Sequence, residues 1–285
     1  MYEKHSRLGS LWRHAVLLIA VAFAVFPILW MVSASFNDLD SMQFQKLIPP
    51  NPTLRQYRDL LTSDRYRFGL WMWNSMKVTV VTSALTVALT ALGAYAFSRF
   101  RFKGRRVGLL GLLLVQMFPQ MLAMVALFLL LLTLGEFFPW AGLNTHTGLI
   151  LVYLGGAMGF NTWLMKGYFD TIPRSLEESA KVDGATPFQA FYHIVLPLAR
   201  PILATIFLLS FISCYSELLL ASFILRDTNQ FTLPVGMSLL ISDQFGKRWG
   251  MFAAGAVLSV LPFVIVFILS QRSLVSGLTR GGVKE

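Results

Sequence analysis

An all-helical, polytopic membrane protein with six transmembrane helices is the fold class this sequence predicts, and three observations predict it. Hydrophobic residues make up 55% of the 285 positions and charged residues only 13%, too little charge to cover a water-soluble globule of this size. Apolar runs long enough to cross about 30 Å of hydrocarbon recur along the chain. Between two of them lies the short stretch 98–106, which holds Arg99, Arg101, Lys103, Arg105 and Arg106 and no acid.

The first span is expected at 15–36. Lys4, Arg7 and Arg13 precede it as in a signal peptide, but it is long, contains Pro27 and has no small-residue cleavage site after it, so it reads as a retained span. An outer loop, 37–77, follows. Its basic residues weigh little on topology because the loop is long. Spans at 78–97 and 107–134 flank the acid-free basic loop, which marks that loop as cytoplasmic. Both termini and the polar stretch 171–200 then fall on the same side. Spans at 147–165, 202–225 and 251–270, an outer loop at 226–250 and a tail at 271–285, with disorder as its default, complete a single transmembrane domain.

Several function classes are excluded or left without support. The net charge of +10 reports membrane insertion; no water-facing domain gathers the basic and aromatic residues a nucleic-acid surface needs. Cys214 is the only cysteine, so no disulfide forms within the chain, and its place in an apolar run suits packing. His5, His14, His146 and His193 are scattered without ligand spacing. No G-x-x-x-x-G-K-[ST] run is present to cradle a nucleotide phosphate.

The polar stretch 171–200 has about the length of a helical hairpin. Ser175 and Glu178 are spaced as a capping box opening a short helix, and Gly184 is placed to close it in a left-handed conformation. Thr186, Pro187 and Gln189 open a second helix, with a cap, a proline at the first helical position and a glutamine at the third. The product is a knuckle bent at Gly184.

At these residues the chain resembles the permeases of ATP-binding-cassette (ABC) importers. Their EAA loop is matched by Glu178-Ser179-Ala180, by Gly184 and by Ile194-Val195-Leu196-Pro197. Residues 71–77 (WMWNSMK), 94–102 (AYAFSRFRF), 116–119 (QMFP), 142–146 (GLNTH), 166–169 (KGYF) and 277–284 (GLTRGGVK) resemble the maltose/maltodextrin-type permeases of that family, so the likeness covers nearly the whole chain. Ser179 departs from the usual alanine, and Ser216-Glu217-Leu218 stands where many sugar permeases read Asn-Glu-Phe.

The resemblance implies the type I (MetI-like) importer permease fold in the inner membrane of a bacterial or archaeal cell. It implies a second, related permease as partner and two ABC ATPase subunits that bind the ATP and Mg, this chain holding no cofactor. Those ATPases would couple through Glu178, Ser179, Ala180, Asp183, Gly184, Ala185, Ile194, Leu196 and Pro197, and the tail would lie along their interface. A periplasmic or lipid-anchored sugar-binding protein would meet the outer loop at Ser238, Leu239, Leu240, Ile241, Ser242, Asp243 and Gln244, a segment that on its own residues is equally a plain loop. The implied cargo is maltose or maltodextrin, with trehalose, another disaccharide or a polyol left open. Glu178 keeps two roles: a cap on the Ser175 backbone, and a partner for a basic residue of the ATPase.

Within the bilayer a carboxylate is costly unless it meets partners or water, which singles out Glu217. An interhelical hydrogen bond and a place in the translocation path are both open for it. Gln116 and Gln120, four apart on a helix interrupted by Pro119, share a face that either lines a polar cavity or bonds a neighbour. Tyr215 joins them as a candidate path residue. A membrane enzyme using Glu217 as acid or base is the rival class, and it needs a second titratable group at the same depth. A channel or secondary carrier would have no use for the EAA knuckle. Gly155 and Gly159 are spaced for close helix packing.

Overall fold

The computed structural model describes residues 7–41, 46–242 and 247–281, and all their regular elements are helices. In chain order these are α1 (Arg7–Ser35), α2 (Arg55–Thr62), α3 (Phe68–Arg99), α4 (Arg105–Gln116), α5 (Gln120–Phe137) and α6 (His146–Thr171). There follow α7 (Arg174–Val182), α8 (Pro187–Ala190), a π turn (Phe191–Val195), α9 (Leu196–Leu198), α10 (Arg200–Tyr215), α11 (Leu219–Ile224), α12 (Leu233–Ser238) and α13 (Trp249–Gly281).

Four helices are long and apolar enough to cross a membrane alone: Trp12–Ser35, Phe68–Arg99, His146–Thr171 and Trp249–Gln271. Two helix pairs reach that length only as bent units, which brings the total among the described residues to six when each pair is counted as one span. Arg105–Gln116 and Met121–Phe137 meet at 101°, and Pro187–Leu198 and Arg200–Tyr215 at 76°. The expected span 107–134, read as one helix interrupted by Pro119, is formed by two helices. Pro119 lacks an N–H and disfavours a helical residue before it, so α4 ends at Gln116 and Pro119, extended at ψ 117°, becomes the residue ahead of α5. The expected span 202–225 likewise stops at Tyr215, and α11 starts afresh at Leu219. The tail default is corrected too: α13 runs to Gly281, and 282–285 lie outside the described residues.

The chain divides into two compact units, passing between them within or at the ends of α3, α12 and α13. The smaller unit holds α1, the 37–67 segment and 236–261. Its interior is tightly packed: Leu60 and Leu240 are fully buried, and a Cβ on Gly250 would strike the Gln56 amide, itself bonded to the Asn37 carbonyl at 3.2 Å. Ser35 and Tyr57 share a hydrogen bond of 2.7 Å, and Arg248 pairs with Asp40 at 3.2 Å.

The larger unit is built on α3 and α6, which run parallel. Val78 of α3 joins Leu149 and Tyr153 of α6 in one buried cluster with Leu131, Leu220, Ile224 and Val235. Ala91, Ala94 and Tyr95 join Met165, Phe169 and Ile172 in a second, capped by Phe191, Val195, Ala199 and Ile206. The 98–106 turn and the hairpin thus share one end of the unit. At the other end, Trp71 Nε1 donates to the Thr228 carbonyl at 2.9 Å, and the Asn74 amide to the carbonyls of Asn229 and Phe231. Asn144, in the left-handed region at φ 57°, accepts from the backbone N–H groups of Arg226 and Asp227.

Candidate functional site

The hairpin forms, with one change at its start. Ile172 is extended ahead of Pro173, and α7 begins at Arg174 with no side-chain cap. The expected Ser175–Glu178 capping box is therefore corrected: Ser175 already lies inside the helix. Glu177, not Glu178, faces the bundle. α7 closes as a Schellman turn, with Gly184 at φ +88°, its N–H on the Lys181 carbonyl and the Ala185 N–H on the Ala180 carbonyl. The second helix has its full capping box: the Gln189 N–H donates to Thr186 Oγ1 at 3.3 Å, and the Thr186 N–H to Gln189 Oε1 at 2.8 Å. The π turn that follows buries Phe191 and Val195 and leaves Tyr192 and His193 exposed.

A buried polar network ties this knuckle down. The Glu177 carboxylate, 4% exposed, accepts from Arg99 Nε at 2.5 Å and from the Tyr95 hydroxyl at 2.9 Å. Arg99 also donates to the Ile172 carbonyl at 3.0 Å and to Ser98 Oγ at 3.1 Å. The Ser98 hydroxyl donates to Asp170, which pairs with Lys166 one turn back, and Arg174 reaches the Ser98 carbonyl at 2.8 Å. The end of α3, the end of α6 and the start of α7 are thereby joined. On the outward side Glu178, Ser179, Asp183, Gly184 and Pro197 are exposed, while Ala180, Ala185, Ile194 and Leu196 are half-buried. A depression of about 390 Å³ lies between the two arms, lined by Ala180, Asp183, Gly184, Ala185, His193 and Ile194 among others.

Glu217 sits in the break between α10 and α11. Its carboxylate accepts from the backbone N–H groups of Leu220 at 2.7 Å and Ala221 at 2.9 Å, and from the Tyr153 hydroxyl at 2.7 Å. It therefore ends one helix, starts the next and bonds α6. The same carboxylate lines a cleft of about 330 Å³ together with Gln116, Tyr153, Asn161, Ser210 and Ser213. Gln116 reaches across to α6, donating to the Gly156 carbonyl at 2.6 Å and accepting from the Phe160 N–H at 2.9 Å. Beside it Gly159 meets α4 so closely that a Cβ would strike the Leu112 carbonyl; at Gly155 a Cβ would meet nothing.

Two candidate path residues fall elsewhere. Tyr215 stacks on Phe211 at 5.6 Å and turns its hydroxyl to the Met72 sulfur. Gln120 starts α5 across the 101° bend, so it shares no helix face with Gln116, and its side chain lies outside the described residues.

Known proteins match this architecture over its length. A family described as "Binding-protein-dependent transport system inner membrane component" matches residues 89–280. The maltose/maltodextrin transport system permease protein MalG of Vibrio vulnificus is 47% identical over 282 residues, 95% of this chain and 94% of that one. The protein of the same name from Escherichia coli K12 is 46% identical with the same coverage. The chain belongs to this permease family. A crystal structure of a bacterial ABC transporter involved in the import of the acidic polysaccharide alginate contains a chain with TM-score 0.79 and 26% identity, covering 95% of this chain and 98% of its own.

The permease is thus a multi-pass membrane transporter subunit, not an enzyme. Its sequence motifs gain physical reasons. The 94–102 stretch supplies Tyr95, Ser98 and Arg99 to the hairpin network, and 71–77 and 142–146 supply Trp71, Asn74 and Asn144 to the opposite end. Sequence patterns missed Glu177, Tyr153, Asn161 and Ser210, because each gains its role from residues far along the chain; the adjacent pair Glu177-Glu178 was the one available signal. In the outer loop, Ser238, Leu239, Ile241 and Ser242 are half-buried, whereas Leu240 is fully buried. Asp243 and Gln244 lie outside the described residues.

Proposed function

We propose that this permease is one of two membrane subunits of an ATP-driven, binding-protein-dependent importer of maltose and maltodextrin. A related permease pairs with it, two cytoplasmic ATPases dock on its hairpin, and a sugar-loaded binding protein engages the outer loop around Ser238, Leu239, Ile241 and Ser242. The observation that carries this reading is the two-sided hairpin: Glu177 is locked into the bundle while Glu178, one residue on, is free on the outer face. Closure of the ATPase dimer on ATP moves the knuckle. The Arg99–Glu177 pair and the Ile172 carbonyl pass that movement to α3 and α6, and the bundle rocks between inward and outward openings. The cleft at Gln116, Asn161 and Glu217 offers hydroxyl, amide and carboxylate groups of the kind a sugar needs along its path. Near-full-length likeness to proteins named for maltose and maltodextrin favours that cargo.

The test is the purified complex in liposomes with labelled maltose inside the assay range of the binding protein. Glu178→Lys reverses a charge on the exposed face, so the folded complex is expected to lose most sugar-stimulated ATP hydrolysis and uptake. Parent-level stimulation in that variant refutes the docking assignment. In a Cys214→Ser background, single cysteines at Lys103 and Ser175 should react with impermeant thiol reagents only from the cytoplasmic side; labelling from outside refutes the orientation.

A further inference from the structure

The turn between α3 and α4 carries a feature that sugar passage does not use. The chain reverses through Gly104 at φ +83°, and a cavity of about 530 Å³ opens there against Lys166 of α6. Its wall is of two kinds. Arg105, Arg106 and Lys166 supply cationic groups, and Phe102, Val107 and Leu109 supply apolar surface. Phe102 is 47% and Val107 74% exposed, so large apolar groups lie open beside the charges.

Lys166 is held by Asp170, which is itself engaged by Ser98 and also draws on the charge of Arg105. Arg106, by contrast, is exposed and makes no ion pair among the described residues. The two arginines also occupy the first turn of α4, which has no acidic residue and no side-chain cap. Cations there are repelled by the positive end of the helix dipole unless an anion sits between them. A free inorganic anion satisfies the arginines and leaves the apolar wall in water. A molecule with a phosphate head and hydrocarbon tails satisfies both, and basic pockets at the edge of a bundle take anionic headgroups for this reason.

We propose that this cavity is a binding site for an anionic phospholipid, its phosphate between Arg105 and Arg106 and its acyl chains along Phe102, Val107 and Leu109. The assignment rests on the membrane placement of the chain and is independent of the sugar carried. The experiment titrates the purified full-length permease in neutral detergent micelles with fluorescent phosphatidylglycerol or fluorescent phosphatidylcholine.

Phosphatidylglycerol should bind in preference. Arg105→Gln with Arg106→Gln should weaken it about 25-fold, each arginine near a membrane surface accounting for roughly a factor of five. Arg101→Gln with Lys103→Gln removes equal charge from the same turn outside the cavity wall, and should change binding less than two-fold. Arg105→Lys with Arg106→Lys keeps the charge and should keep most of the affinity. Millimolar inorganic phosphate should not displace the lipid. Equal binding of the two lipids, equal loss in the two glutamine pairs, loss in the lysine pair, or displacement by phosphate alone each overturns the proposal. Should the Arg105/Arg106 glutamine pair fail to fold, the lipid comparison and the phosphate competition on the parent chain decide. None of these readouts involves sugar or ATP, so a negative result here leaves the importer reading standing.

Discussion

Two carboxylates in the larger unit, Glu177 buried and Glu217 half-buried, meet the cost of leaving water by different means. Glu177 is held by a full positive charge, Arg99, with the Tyr95 hydroxyl as second donor. Glu217 has no cation among its hydrogen-bond partners; two backbone N–H groups freed at the start of α11 and the Tyr153 hydroxyl surround it. The first arrangement welds three chain segments into a rigid joint. The second uses the carboxylate to make a break in the backbone and leaves it lining a polar cleft. A buried ion pair is strongly destabilised when one partner is removed, because a bare charge is left behind. A carboxylate held by neutral donors loses less, since each donor abandoned costs about 1–3 kcal/mol.

The sharpest way to break this comparison is at Arg99. Arg99→Ala leaves Glu177 charged and unpaired, and is expected to cost about 3–5 kcal/mol, seen as a large drop in thermal midpoint or loss of folded protein. Adding Glu177→Gln removes the orphaned charge and should restore part of the loss. An Arg99→Ala permease as stable as the parent would mean that the joint is not held by charge.

A smaller effect is expected at Glu217. Glu217→Leu abandons the Leu220 and Ala221 N–H groups and the Tyr153 hydroxyl, for a loss of about 2–4 kcal/mol after partial rehydration. Glu217→Gln keeps one acceptor and should lose less than half of that. Thermal unfolding of the two variants with Tyr153→Phe orders them, with Tyr153→Phe mildest at about 1 kcal/mol. If Glu217→Gln proved as damaging as Glu217→Leu, the negative charge itself would be required, and the contrast with Glu177 would collapse.

The smallest effect concerns the bend. A Cβ built on Gly184 meets no atom within 4 Å, so Gly184→Ala carries only the left-handed backbone penalty of about 1 kcal/mol. The midpoint should fall by a few degrees with fold and assembly intact. An unchanged midpoint would show that the turn relaxes to another conformation, and that the rigidity of the hairpin resides wholly in the Arg99–Glu177 joint.

What the sequence determined by itself was everything that depends on neighbours along the chain. Hydrocarbon length is a property of consecutive residues, so the membrane class and the number of apolar runs were legible in composition and pattern. Capping is local as well: Thr186, Pro187 and Gln189 start a helix because their donors and acceptors lie within three residues, and Gly184 bends the chain because it lacks a Cβ. The tertiary structure decided whatever depends on groups brought together from afar. Glu177 and Glu178 are chemically identical neighbours; which one is buried follows from the face that α7 turns to the bundle and from Arg99, 78 residues away. Tyr153 and Glu217 meet across 64 residues, and Gln116 finds the α6 backbone only because α4 lies against Gly159. A polar side chain in an apolar chain is costly until paired, so its need was plain from the sequence, but the partner that answers it is chosen by packing.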